Sequence, residues 1–284
     1  MKTVRTISEL RQSIDYNKRV GFVPTMGNLH AGHLDLISTA KAQSQLVVAS
    51  IFVNRLQFGP HEDFDSYPRT FFEDTRKLEA SGCDVLFAPG EEDLYPVPQG
   101  FEVSPPDNLA GILEGEFRPG FFKGVCTIVL KLFNCVQPNV AFFGRKDYQQ
   151  AMIVDHMVNQ FALPVDIVKV PTRREVDGLA MSSRNGYLND AERADAVQLY
   201  LVLCQMRESF KAGHNISTVE EEAKHHLQSR GWKPDYLTIR SALDLSPLSV
   251  IQKEGNPPPG CWIALGAARI GKTRLIDNLE FNVN

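Results

Sequence analysis

Pro24-Thr25-Met26-Gly27-Asn28-Leu29-His30-Ala31-Gly32-His33 joins an apolar run, Val20 to Val23, to a segment with apolar residues at three-to-four spacing, Leu34 to Gln43. A short buried strand, a glycine-bearing turn and a helix in that order open a βαβ unit. The two histidines are three residues apart, so they fall on one helical face at the start of that helix. Backbone N–H groups point outward there and the helix dipole favours negative charge. Imidazoles added to such a terminus supply hydrogen-bond donors for a polyphosphate. Gly32 has no side chain, which lets an adenine or ribose approach the backbone closely.

The alternation continues along the chain. Apolar runs at Leu46 to Val53, Asp84 to Phe87, Val140 to Phe143 and Val165 to Val170 read as strands covered on both faces. Between them Thr70 to Ala80, Phe122 to Val136 and Asp147 to Leu163 carry helical spacing. The predicted fold is α/β, with a Rossmann-like parallel-sheet domain over residues 1–173. A smaller α+β domain is expected over 174–284, because the texture changes after Leu188 to two long helical stretches, Asp190 to Lys211 and Ser217 to Arg230. Asn189 and Ser217 are their expected N-caps. Short strands follow at Tyr236 to Ile239, Trp262 to Leu265 and Arg274 to Ile276, separated by turns such as Gly255 to Gly260.

Composition narrows the function. The chain of 284 residues carries a net charge of -4, with no basic footprint for a phosphate backbone, so nucleic acid is not an expected partner. Cys83, Cys126, Cys135, Cys204 and Cys261 are scattered and never form C-x-x-C, which argues for neither a disulfide framework nor a zinc site and fits a reducing compartment. The N-terminus lacks the apolar stretch of a signal peptide, and the run Gly124 to Val136 is interrupted by Lys131 and too short to span a bilayer. A cytoplasmic protein without a membrane partner is expected.

Three further segments carry chemistry. Phe142-Phe143-Gly144-Arg145-Lys146-Asp147 leaves a strand just before a helix, and ligands of open α/β sheets bind beyond such strand ends. Lys146 there can neutralise phosphate charge. Gly178-Leu179-Ala180-Met181-Ser182-Ser183-Arg184-Asn185 pairs hydroxyls with a guanidinium, a set suited to a lid around phosphate oxygens. Asn54 and Gln57 leave another strand as uncharged amides beside Phe58 and can orient a small polyhydroxy or carboxylate substrate. Glu73 and Asp74 begin a helix after Tyr67-Pro68-Arg69; either they help hold a magnesium ion carried by a nucleotide or they favour the helix N-terminus.

Gly266 to Thr273 matches the P-loop string G-x-x-x-x-G-K-[ST] in every position. A P-loop must lead into a helix and further strands, whereas the eleven residues after Thr273 read as a returning strand. Ile270-Gly271-Lys272 is therefore expected to be a hairpin turn.

In order and spacing the stretches PTMGNLHAGH (24–33), SIFVN (50–54), LQF (56–58), YPRT (67–70), KGV (123–125), KLFN (131–134), KDYQQ (146–150), DGLAMSSRNGYL (177–188) and RLIDN (274–278) resemble the pantothenate synthetase family over nearly the whole chain. The first motif alone would indicate only the wider superfamily of nucleotidyltransferases and class I aminoacyl-tRNA synthetases. The resemblance implies that pantoate and ATP form pantoyl adenylate and pyrophosphate, and that β-alanine then displaces AMP. Magnesium and a homodimer are implied as well. His30, His33 and Lys146 would act on the ATP phosphates, joined by Ser182, Ser183 and Arg184 of the lid. Pro24, Thr25, Met26, Gly32, Gly144, Asp147, Val170 and Met181 would surround the nucleotide, with Asp147 on the ribose side. Gln57 and Gln150 match the family's pantoate-holding amides, and Met26, Asn54, Tyr67 and Phe143 would line the same pocket. Residues 1–173 would then bind ATP and pantoate, and 174–284 would contribute the lid.

Three positions depart from the family pattern: Arg55 stands where proline is usual, Phe121 where histidine is usual, and Arg145 where glutamate is usual. They are expected to loosen a loop, to remove a polar contact and to shift local charge by two units. Two rival functions use the same motifs. An adenylyltransferase would leave AMP on its product, and a non-catalytic nucleotide-binding protein would hold ATP without releasing AMP.

Overall fold

A computed structural model describes residues 1–60, 62–248 and 258–284; Gly255 to Pro257 of the expected turn lie outside the described residues. The chain divides into two compact units, Met1–Arg173 and Arg174–Asn284.

The first unit is a six-stranded, all-parallel sheet with helices. Its strands are β1 (Lys2–Val4), β2 (Val20–Thr25), β3 (Leu46–Ile51), β4 (Val85–Phe87), β5 (Val140–Gly144) and β6 (Asp166–Val170), in the order β1-β4-β3-β2-β5-β6. From β2 the chain moves one way to β3 and β4, then returns to place β5 and β6 on the other side of β2. The direction therefore reverses between β2 and β5, and at such a switch point the loops leaving the two strands diverge and open a crevice. The Pro24–His33 and Phe142–Asp147 segments run into those two loops.

The helices of this unit are α1 (Ile7–Ser13), α2 (Ala31–Gln43), α3 (Phe71–Ala80), the one-turn α4 (Glu91–Leu94), α5 (Asp107–Ala110) and α6 (Glu114–Phe117), then α7 (Phe121–Val136) and α8 (Tyr148–Gln160). Helix α7 buries residues nearly all round, among them Phe122, Cys126, Ile128 and Phe133, and Phe22 of β2 meets Phe133 edge-on. On the far side of the sheet Ile37 and Ala40 of α2 and Leu78 of α3 pack with Val23, Val47, Ala49 and Phe142. Strand β1 and helix α1 escape the apolar-run criterion, because β1 is an edge strand with only Val4 buried and α1 is marked by a capping box, Thr6 with Glu9, rather than by apolar length.

The second unit holds α9 (Asp190–Asp195), α10 (Gln198–Lys211), α11 (Ile216–Ser229) and an antiparallel sheet β7-β8-β9 (Lys233–Ser241, Gly260–Ile270, Thr273–Val283). Two expectations need correction here. The stretch 190–211 is two helices broken at Ala196–Val197, where Ala196 turns fully into the core. The N-cap of α11 is Asn215, whose side chain accepts from the Ser217 and Thr218 amides, so Ser217 lies inside the helix. The P-loop string is a hairpin: Ile270 pairs with Thr273, Gly271 takes φ +54°, and no helix follows. Among the described residues no helix is long and apolar enough to cross a membrane.

Candidate functional site

The turn after β2 is built by backbone conformation and one buried carboxylate. Gly27 and Asn28 both take positive φ, 84° and 50°, which swings the chain out of the sheet. Asp74, 1% exposed, then collects the amides that this turn leaves unpaired: Asn28 N–H and Leu29 N–H donate to its two oxygens at 2.8 Å each, and Thr70 Oγ1 adds a third bond at 3.0 Å. Three residues on along α3, Lys77 donates to the Leu29 carbonyl at 2.8 Å. Asp74 thus anchors the loop through its carboxylate. Glu73, exposed in the first turn of α3, does not share its surroundings.

His30 is the N-cap of α2 and His33 its third residue, and the two rings cap the helix reciprocally. The Gly32 N–H donates to His30 Nδ1 (3.2 Å) and the His30 N–H to His33 Nδ1 (3.3 Å), with ring centroids 4.1 Å apart. A neutral imidazole that accepts at Nδ1 carries its proton at Nε2. Both rings therefore present an Nε2–H donor. Burial first, then His33 and the Lys146 ammonium, push the His30 pKa down to about 3; burial, then Lys146 and Lys77, push His33 down to about 4. A Cβ at Gly32 would lie 3.0 Å from His30 Cε1, so the absence of a side chain there also makes room for the His30 ring.

This geometry predicts an acid-sensitive stability. Between the unfolded value of 6.5 and the folded values near 3 and 4, the unfolded chain binds protons that the folded imidazoles refuse, so stability falls as pH drops through that window. Melting temperature should fall less steeply from pH 6.5 to pH 4 in a His30→Asn, His33→Gln double variant, which keeps capping groups without imidazoles. Parallel slopes would contradict the assignment.

Lys146 sits in a 3-10 turn, Arg145–Asp147, that follows β5 across the switch point, with its ammonium 3.7 Å from Asp147. A Cβ added at Gly144 would meet nothing within 4 Å, so the strand end is open beside it. Pro24 and Thr25 close β2, where Thr25 Oγ1 donates to the Ser50 carbonyl at 2.7 Å and so ties β2 to β3.

Met26, Asn54 and Gln57 come together: Gln57 Nε2 donates to Met26 Sδ (3.1 Å) and Asn54 Nδ2 to Gln57 Oε1 (3.2 Å). Asn54 is only 1% exposed and its other bonds go to the Gly124 carbonyl and the Tyr95 hydroxyl, so its amide is fixed in place beside Gln57. Phe143 is buried edge-on against Phe133, Tyr67 is buried against Phe58, and the Val170 side chain belongs to the core. Gln150 is half-buried in the first turn of α8, next to Gln149, whose amide is spent on Leu109, Ile112 and Glu114.

In the second unit Met181, Ser182, Ser183 and Arg184 are half-buried. Ser182 caps a 3-10 turn, Ser183–Tyr187, by accepting from the Arg184 amide. The base of this loop is clamped by Arg174, which forks onto Asp277 (2.6 and 2.9 Å), donates to the Gly178 carbonyl and stacks 3.9 Å over Tyr200.

With a parallel sheet whose β2 and β5 loops carry these groups, the chain matches known proteins along its length. The family described as Pantoate-beta-alanine ligase matches residues 2–280. The chain belongs to the pantoate-beta-alanine ligase family. It is similar to the pantoate-β-alanine ligase (pantothenate synthetase) of Thermus thermophilus, at 44% identity over 98% of this chain and 99% of that one, with a TM-score of 0.91. It is also similar to the pantoate-β-alanine ligase of Francisella tularensis, solved with "beta-gamma ATP" and β-alanine, at 35% identity over 98% and 97% of the two chains, with a TM-score of 0.78. The reaction of this ligase is the condensation of pantoate with β-alanine to give pantothenate, driven by ATP.

The three departures from the family pattern each find a role or an exposed place. Arg55 lies 4.1 Å over the Phe64 ring and pairs with Glu91, so the loop is tied rather than loosened. Phe121 lies 3.6 Å beneath the Arg118 guanidinium, which itself holds Glu62. Arg145 is exposed.

Proposed function

We propose that this ligase works through pantoyl adenylate, with the β2 and β5 loops as its phosphate site. The observation that carries the reading is the paired capping of His30 and His33, which leaves two neutral Nε2–H donors close enough to Lys146 for its ammonium to depress both rings. A carboxylate oxygen of pantoate attacks the α-phosphorus, the bond to the β-phosphate breaks, and pyrophosphate leaves with the electron pair. The β-alanine amine then attacks the acyl carbon; AMP leaves with the oxygen through which pantoate was activated, and the amine loses a proton. Neither step needs a side-chain nucleophile; positioning and charge neutralisation suffice.

In this reading His30, His33 and Lys146 stabilise charge on the leaving phosphates, and Asp147 meets the ribose. Gln57 and Gln150 hold pantoate beside Met26. Ser182, Ser183 and Arg184, two hydroxyls beside a guanidinium, would bind phosphate oxygens and help exclude water from the adenylate. Among the described residues no group of three or more His, Cys, Asp or Glu is gathered to hold a metal. The described residues therefore do not form an all-protein magnesium cage; magnesium would enter with ATP, held by phosphates and water as that ion prefers. The enzyme would be a homodimer of the cytoplasm.

Exchange of labelled pyrophosphate into ATP with pantoate alone tests the reading. We expect exchange without β-alanine, AMP release only once β-alanine is added, and no stable dinucleotide. Exchange that needs a phosphorylated acceptor instead of pantoate would favour the adenylyltransferase reading.

A further inference from the structure

We infer that Tyr95, remote in sequence from every motif above, is a positioning residue that fixes Gln57 as a hydrogen-bond donor toward pantoate. The inference rests on the reading of Gln57 as a pantoate-holding amide and adds what sets its polarity.

Donors and acceptors must alternate along this chain of side chains. Gly124 offers Asn54 only a carbonyl oxygen, at 3.2 Å, so the NH2 end of the Asn54 amide must face it. The oxygen end then faces Tyr95, whose hydroxyl donates to it at 2.8 Å. Burial raises the Tyr95 pKa above its ordinary value, so the hydroxyl stays protonated and remains a donor. The second N–H of Asn54 is directed at Gln57, which must answer with its oxygen, at 3.2 Å. That choice turns the Gln57 NH2 group away, toward Met26 Sδ. Thioether sulfur is a weak acceptor, so the NH2 group keeps its capacity for a strong one, a carboxylate or hydroxyl oxygen such as pantoate carries.

Both ends of the chain of bonds are fixed. Lys131 stands 4.2 Å over the Tyr95 ring and donates to Leu94 O and Gln99 Oε1 at 2.6 Å each. At the other end a Cβ on Gly124 would overlap the Leu56 carbonyl and lie 2.7 Å from Gln57 N; glycine is what lets the Arg55–Gln57 turn rest on α7.

A double-mutant cycle tests this. Tyr95→Phe removes only the hydroxyl and should raise the KM for pantoate by about tenfold, with the KM for ATP unchanged. In a Gln57→Ala background the same change should alter the pantoate KM by less than about twofold, because Tyr95 acts through Gln57. Equal effects in both backgrounds would overturn the inference while leaving Gln57 in place; a Gln57→Ala protein with unchanged pantoate KM would overturn the reading beneath it as well. Gln57→Glu keeps an acceptor for Asn54 but turns an anion toward the substrate, and it carries the test should Tyr95→Phe fail to fold. A rise of about a hundredfold in pantoate KM is expected, and a rise under about threefold would refute the donor assignment.

Discussion

Replacing Lys146 by methionine is expected to lower kcat for pantothenate formation by about 10²- to 10³-fold while the melting temperature stays within a few degrees of wild type. The size follows from removing one well-placed charge from a phosphate site, worth about 3 to 4 kcal/mol of transition-state stabilisation. The fold should survive because Lys146 lies in a 3-10 turn at the end of β5, outside the buried core. His33→Ala belongs to the same class, with one difference. His33 Nδ1 also accepts the His30 backbone amide, so its loss removes half of the reciprocal cap that seats His30, and the two histidines should prove non-additive. A fall in kcat of less than about tenfold in both variants would remove these groups from the chemistry.

Asp74→Ala should be the most damaging single change to the site's architecture. It leaves the amides of Asn28 and Leu29 and the hydroxyl of Thr70 without their acceptor, beneath the turn that carries His30. Orphaned buried donors cost about 1 to 3 kcal/mol each, so a loss of about 3 kcal/mol or more is expected, together with a fall in kcat/KM for ATP. Unfolding in urea and steady-state kinetics measure the two effects. Raising the magnesium concentration should not restore activity, since Asp74 anchors backbone. Recovery with magnesium, at unchanged stability, would return Asp74 to the metal.

Periodicity made most of the fold legible. Strands β2 to β5 are apolar and almost wholly buried, as a parallel sheet covered on both faces requires, and that requirement is written locally in the residues themselves; the edge strand β6, with Asp166 exposed, is covered less. What escaped was decided by non-local contact or by caps. Strand β1 has one buried residue, α1 is marked by Thr6 and Glu9, and the break between α9 and α10 answers to the core that Ala196 enters.

Around the candidate site the sequence shows which residue types are present and less of what each one touches. His30 and His33 stand at a helix start, as their spacing requires, but nothing local shows that each ring accepts a backbone amide and so fixes the other's surroundings. Asn54 reads as a pocket amide in sequence, and its three partners, Gln57, Gly124 and Tyr95, appear only in space. Asp74 and Lys77, one helical turn apart, had a usable signal, since they share the face of α3 that meets the loop. Tyr95 had none: its partner lies forty-one residues away, and only folding brings the hydroxyl to Asn54.

The mechanism turns on whether pantoate's carboxylate reaches the α-phosphorus in a site lined by His30, His33 and Lys146. Pantoate labelled with 18O in its carboxylate measures this directly when AMP, pyrophosphate and pantothenate are analysed after turnover with β-alanine. The label should appear in the phosphate of AMP, one oxygen per pantothenate formed. AMP free of label, with 18O in pyrophosphate or inorganic phosphate, would mean that pantoate is activated at another phosphorus, and the mechanism would fail.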